Sequence, residues 1–165
     1  MTEKTTTGRL IAAAGGIVLI ISLFLNWYTY KAGLNIAGVN SSSSTGISAW
    51  DAFSLIDLLL LVIGLLAIVP AALDVFDMEV ELPVDMSVVT MAAGALAVLL
   101  IVFRVIDKPG PDVSVNIPGV EAGVHLAFGL FIGLISSAAI AFGGFTQTSE
   151  SGGVDAYSGT APGAP

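Results

Sequence analysis

The sequence predicts an all-α integral membrane fold, an antiparallel four-helix transmembrane bundle. Two observations carry that prediction. Of the 165 residues, 55% are hydrophobic and only 11% are charged, against roughly 25% charged in soluble domains. The apolar residues also gather into four runs, each near the roughly 20 residues that a helix needs to cross the hydrocarbon core. A soluble chain of this composition would lack the polar groups to cover its own surface, so the lipid bilayer is the expected partner.

The first span covers about residues 10–28, LIAAAGGIVLIISLFLNWY. Backbone polar groups in lipid must be satisfied within the segment, which makes such a run a helix. Lys4 and Arg9 precede it, as basic residues precede a secretory leader. The run is long for a leader, however, and no A-x-A site follows it, so an uncleaved anchor is expected. Trp27 and Tyr28 at its end, and Trp50 before the next span, have the chemistry of interface anchors at headgroup level.

The second span, about 52–73, holds Asp57 inside its apolar run. The third, about 86–106, carries Arg104 near its end. The fourth, about 124–145, opens on His125 and contains Gly129-x-x-x-Gly133, the small-residue spacing that lets membrane helices pack closely. Residues 1–9 form an N-terminal cytoplasmic segment. Residues 146–165, rich in Gly, Ser and Pro, have a disordered composition.

The loops differ in character. The first, about 29–51, contains NSSSSTG, which is flexible-linker chemistry. Its flanks, YTYKAGLNIAG and GISAW, are β-like and admit a small β-hairpin. The second holds five carboxylates (Asp74, Asp77, Glu79, Glu81, Asp85) and no basic residue. The third, DKPGPDVSVNIPGVEAG, has three prolines and a short β-like patch.

Composition also excludes functions. There is no Cys, and there is one His. Disulfides, thiolate nucleophiles and multi-His or thiolate metal sites are therefore out of reach; a carboxylate-only cation site stays open, and no metal or cofactor is assigned. A net charge of −8 with five Lys and Arg residues argues against nucleic acid, whose phosphates need clustered bases. The positive residues flanking the spans are nearly balanced. Two lie before the first helix and one after it, which favours both termini in the cytoplasm of a multi-pass protein of the cell membrane.

Antiparallel spans bring the end of helix one, the start of two, the end of three and the start of four to one membrane face. Asn26, Trp27, Trp50, Asp51, Asp57, Arg104, Asp107, Glu121 and His125 all map there. Helical steps align Asp57 with Gly64, Arg104 with Ala97, His125 with Gly129 and Gly133, and Asn26 with Ser22. A charged group within a span is costly, and an Asp57–Arg104 pair is the least costly way to hold both. Asn26 and His125 would complete an intramembrane polar cluster. A staple between helices two and three outweighs an ion, proton or headgroup site as the reading of that pair. The expected function is a non-enzymatic scaffold or accessory subunit, acting through helix and loop contacts with a membrane protein or a second copy. The alternative is a small oligomeric channel or transporter using Asp57, Arg104 and His125. No paired acids or nucleophile–base motif points to an enzyme.

The strings SLFLNWY, AWDAFSLIDLLL and LIVFRVIDKPG resemble a class of small four-span membrane proteins of high-GC Gram-positive bacteria. That class runs Phe-Leu-x-Trp-Tyr, then Trp-x-Ala-Phe-Ser-x-x-Asp, then Phe-Arg. Trp50, Ala52, Phe53, Ser54, Asp57 and Arg104 match it, and Asn26 stands where the class has proline. The resemblance covers about residues 20–145. It implies a fold and a membrane location, singles out Asp57 and Arg104, and implies no activity.

Overall fold

A computed structural model describes residues 7–51, 55–78, 80, 83–107, 118 and 120–150. Four helices are long and apolar enough to cross a membrane: α1 (Thr7–Phe24), α2 (Leu55–Val75), α3 (Met86–Ile106) and α4 (Phe128–Glu150). Three strands, β1 (Asn26–Ile36), β2 (Val39–Ser48) and β3 (Val120–Leu126), form an antiparallel sheet in the order β2-β1-β3. The four helices and a hairpin in the first loop (β1–β2) are as expected; the all-α expectation is corrected by β3, which adds a third strand from the segment before α4.

Three features account for the β1–β2 hairpin. α1 stops at Phe24 rather than Tyr28, because the aromatic and β-branched run Trp27-Tyr28-Thr29-Tyr30 favours a pleated strand. The turn between β1 and β2 is Ala37-Gly38, with φ of 52° and 81°. Positive φ at both central residues is the hairpin geometry whose twist matches the flanking strands. NSSSSTG, expected as linker, lies within β2, where Asn40 pairs with Asn35 and Ser44 with Lys31. The backbone ladder to β1 overrides the poor strand propensity of serine.

The fourth span is displaced from the expected 124–145. Val124 to Leu126 pair with β1, and the helix starts at Phe128 and runs to Glu150. Residues 146–150, expected as disordered tail, thus extend α4, with Gln147 and Thr148 buried. The remainder of that expected tail, 151–165, lies outside the described residues. So do 1–6 of the expected N-terminal segment, whose residues Thr7 to Arg9 open α1.

The helices are antiparallel neighbours. α1 lies between α2 and α4, and α4 lies between α1 and α3, while α2 and α3 meet more lightly. α1 and α4 approach backbone to backbone: a Cβ at Gly143 would sit 2.6 Å from the Ala12 nitrogen and 2.7 Å from the Gly8 oxygen. Leu19, Leu23, Leu60, Ile101, Leu130 and Ile140 are fully buried between the helices. The outer surface is equally apolar, with Ile17, Leu58, Leu65, Leu99, Ile135 and Phe142 exposed. A bundle hydrophobic all round is consistent with a multi-pass membrane protein.

Candidate functional site

The sheet sits at the bundle end formed by the end of α1, the start of α2, the end of α3 and the start of α4. Asp57 and Arg104 meet just beneath it. The Arg104 Nη2 donates to Asp57 Oδ2 at 3.0 Å, and both side chains are buried. Asp57 lies in the first turn of α2 and Arg104 in the last turn of α3. A helix N-terminus favours a carboxylate and a C-terminus favours a cation, so each residue suits its own helix as well as its partner.

Tyr28 closes this arrangement from above. Its hydroxyl donates to the Arg104 carbonyl at 3.0 Å, one of the last-turn carbonyls that α3 cannot satisfy itself. Burial pushes the Tyr28 phenol up from its ordinary value; the Arg104 charge pulls it down and Asp57 pushes it up further. Trp27 is wholly buried, and its indole N–H donates to the Ser22 carbonyl at 2.6 Å. Neither residue faces headgroups, so the interface-anchor reading of Trp27 and Tyr28 is corrected. The chain turns into a strand at Asn26, which swings both rings over the bundle. Trp50 is half-buried and stacks obliquely on Phe24, with ring centroids 5.7 Å apart.

Gly129 and Gly133 do pack closely: a Cβ at Gly133 would lie 3.2 Å from Ser22 Oγ of α1 and 3.5 Å from Ile101 Cδ1 of α3, and both glycines also meet Trp27. A Cβ at Gly133 would lie 3.1 Å from the Trp27 Cζ2, and one at Gly129 would lie 3.0 Å from its Cδ1. The two glycines form the seat of the buried indole.

Asn26 and His125 do not join Asp57 and Arg104. The Asn26 side chain lies over Gly46, where a Cβ would sit 2.6 Å from its Cγ. His125 is an exposed residue of β3, opposite Thr29. The expected cluster is thus split: Asp57 and Arg104 form a pair, while the other two belong to the sheet. The cause is the conversion of both span ends from helix to strand, which changes the side-chain period from 3.6 to 2.

One polar face of the sheet is concave. Lys31, Gly33, Ser42, Ser44, Gly123 and His125 line a cavity of about 440 Å³. Lys31 stands opposite Ser44 on one side and Gly123 on the other, and Gly33 stands opposite Ser42. The missing side chains of Gly33 and Gly123 make the hollow, and the imidazole of His125 leans over Gly123, whose Cβ would lie 3.4 Å from Nε2.

The opposite bundle end holds an ion pair that the sequence did not reveal. Arg9 Nη1 reaches Asp74 Oδ1 at 2.6 Å and Oδ2 at 2.7 Å, tying the start of α1 to the end of α2. The antiparallel argument that grouped Asp57 with Arg104 would also have grouped these two. Asp85 of the acidic loop caps α3, accepting from the Ser87 N–H at 3.0 Å and the Ser87 hydroxyl at 2.6 Å. Glu79 and Glu81 lie outside the described residues. Among the described residues no three His or carboxylate side chains converge as a metal set. No family model and no curated protein sequence matches the chain.

Proposed function

We propose that the protein is a non-enzymatic integral membrane protein that presents its three-stranded sheet to a membrane-protein partner, as a scaffold or accessory subunit. The bundle is the anchor in the cell membrane. With both termini cytoplasmic, the sheet projects from the outer side.

One observation carries this reading. Beyond the bundle, the apolar face of the hairpin is uncovered, with Leu34, Ile36 and Val39 exposed by 49, 63 and 69%. Apolar side chains grouped on a face that projects out of the anchor are suited to contact with another protein. The transport alternative calls on Asp57, Arg104 and His125 acting together. The first two are paired beneath the sheet, and the third lies on it.

Photo-reactive residues placed at Ile36 and at Leu99 in cells test the proposal. The expected result is a discrete adduct with another membrane protein from Ile36, and none from Leu99 on the bundle surface. Adducts between two copies of the chain would replace the accessory role with homo-oligomerisation. Ion flux in proteoliposomes that is lost in Asp57→Asn would replace it with transport.

A further inference from the structure

We propose that the concave polar face of the sheet binds a phosphate group. The inference rests on the reading of the sheet as the recognition surface, and it names what one side of that surface recognises.

Charge is the first argument. The described residues include three Lys or Arg side chains. Arg9 is paired with Asp74 and Arg104 with Asp57. Lys31 has no ion-pair partner among the described residues, and it lines the cavity. An ammonium carries three donors and no acceptor, so it calls for an anionic oxygen.

The surroundings are the second argument. Strand alternation puts the hydroxyls of Ser42 and Ser44 and the imidazole of His125 on the same face as Lys31. Hydroxyl, imidazole and ammonium donors converging on one hollow match a group with several acceptor oxygens. The volume, about 440 Å³, exceeds what a bare ion fills and falls in the range of small-molecule sites. Phosphate carrying a polar substituent fits, whether as a free compound or as a lipid headgroup.

The third argument concerns selectivity. The net charge of −8 opposes general accumulation of anions, so binding must come from these local donors.

His125 is the sole histidine of the chain, so its ring resonances need no assignment. The experiment uses the full chain, without a histidine tag, in nanodiscs of an uncharged, phosphate-free glycolipid. In one arm inorganic phosphate replaces chloride at constant ionic strength. In the other, phosphatidic acid replaces part of the lipid and no free phosphate is added. A saturable movement of the His125 ring signals is expected, and the arm that produces it identifies the source. Lys31→Gln should weaken the apparent affinity at least about tenfold, equivalent to about 1.4 kcal/mol. Thermal unfolding of Lys31→Gln at the native temperature shows that the fold is intact. Silence of His125 in both arms, or a native titration in Lys31→Gln, overturns the proposal. Should the Ile36 adducts persist while His125 is silent, the presenting role stands and the phosphate site falls.

Discussion

The Asp57 carboxylate and the Arg104 guanidinium meet at 3.0 Å, each at the helix end whose dipole favours its charge. The pair is buried at the junction of bundle and sheet, so removing either partner leaves a buried charge. A guanidinium cannot shed its proton, whereas a lone carboxylate can take one up and become neutral. Asp57→Asn should therefore cost more stability than Arg104→Gln. The double change should recover part of the loss, with a coupling of about 0.6–1.7 kcal/mol, as for other polar pairs in membranes. Thermal unfolding of the four proteins in detergent measures the cycle, and strict additivity would reject the pair.

Arg9 and Asp74 form the opposite case. Arg9 stands in the first turn of α1 and Asp74 in the last turn of α2, each against its helix dipole. Exposed pairs contribute about 0–1 kcal/mol, and dipole effects about 0.3–1 kcal/mol per charge. Arg9→Asp alone should destabilise by placing two carboxylates together. The exchange Arg9→Asp with Asp74→Arg should be at least as stable as the native chain. An exchanged protein that unfolds below the native temperature would show that the dipoles are irrelevant there.

Tyr28→Phe removes the donor to the Arg104 carbonyl and should cost about 1–3 kcal/mol, the range for a buried acceptor left unmet. The same residue predicts a pH dependence. Its folded phenol is raised above the ordinary value of about 10, so the unfolded chain loses this proton first. The stability that Tyr28 contributes is present below pH ~10 and declines as pH rises from there through the folded value. Urea titrations at increasing alkaline pH should show a shallower decline in Tyr28→Phe than in the native protein.

Gly143→Ala should destabilise the bundle by about 1–3 kcal/mol, the usual cost of overpacking. Its new methyl would meet the Ala12 nitrogen and the Gly8 oxygen, which are backbone atoms and cannot rotate away. Circular dichroism in detergent would record a lower midpoint with unchanged helix content.

Ala37→Asn should act in the other direction. An L-residue with a side chain is strained at the left-handed φ of Ala37 (52°), and asparagine tolerates that region best. A gain of up to about 1 kcal/mol is expected. It should appear as slower amide exchange in β1 and β2, and an unchanged rate would mean that the turn adopts another geometry in solution.

Composition and run length by themselves determined the four helices, because burying a backbone in hydrocarbon leaves a long apolar segment few other forms. Antiparallel connection then placed Asp57 near Arg104, since sequence order dictates which helix ends are neighbours. Only the tertiary structure decided what happens at those ends. Trp27, Tyr28 and His125 belong to apolar runs whose local pattern suits a helix terminus, yet all three lie in strands. The pairing of β1 with β3 joins residues about ninety positions apart, and its ladder energy is invisible to any local window. The serine run was illegible for the same reason: a strand built on backbone hydrogen bonds to β1 leaves no hydrophobic alternation to read. Once those ends became strands, the side-chain period changed. Asn26 and His125 left the buried pair, Trp27 dropped onto Gly129 and Gly133, and Lys31 came to face Ser42, Ser44 and His125 across a hollow that no helical alignment could have drawn.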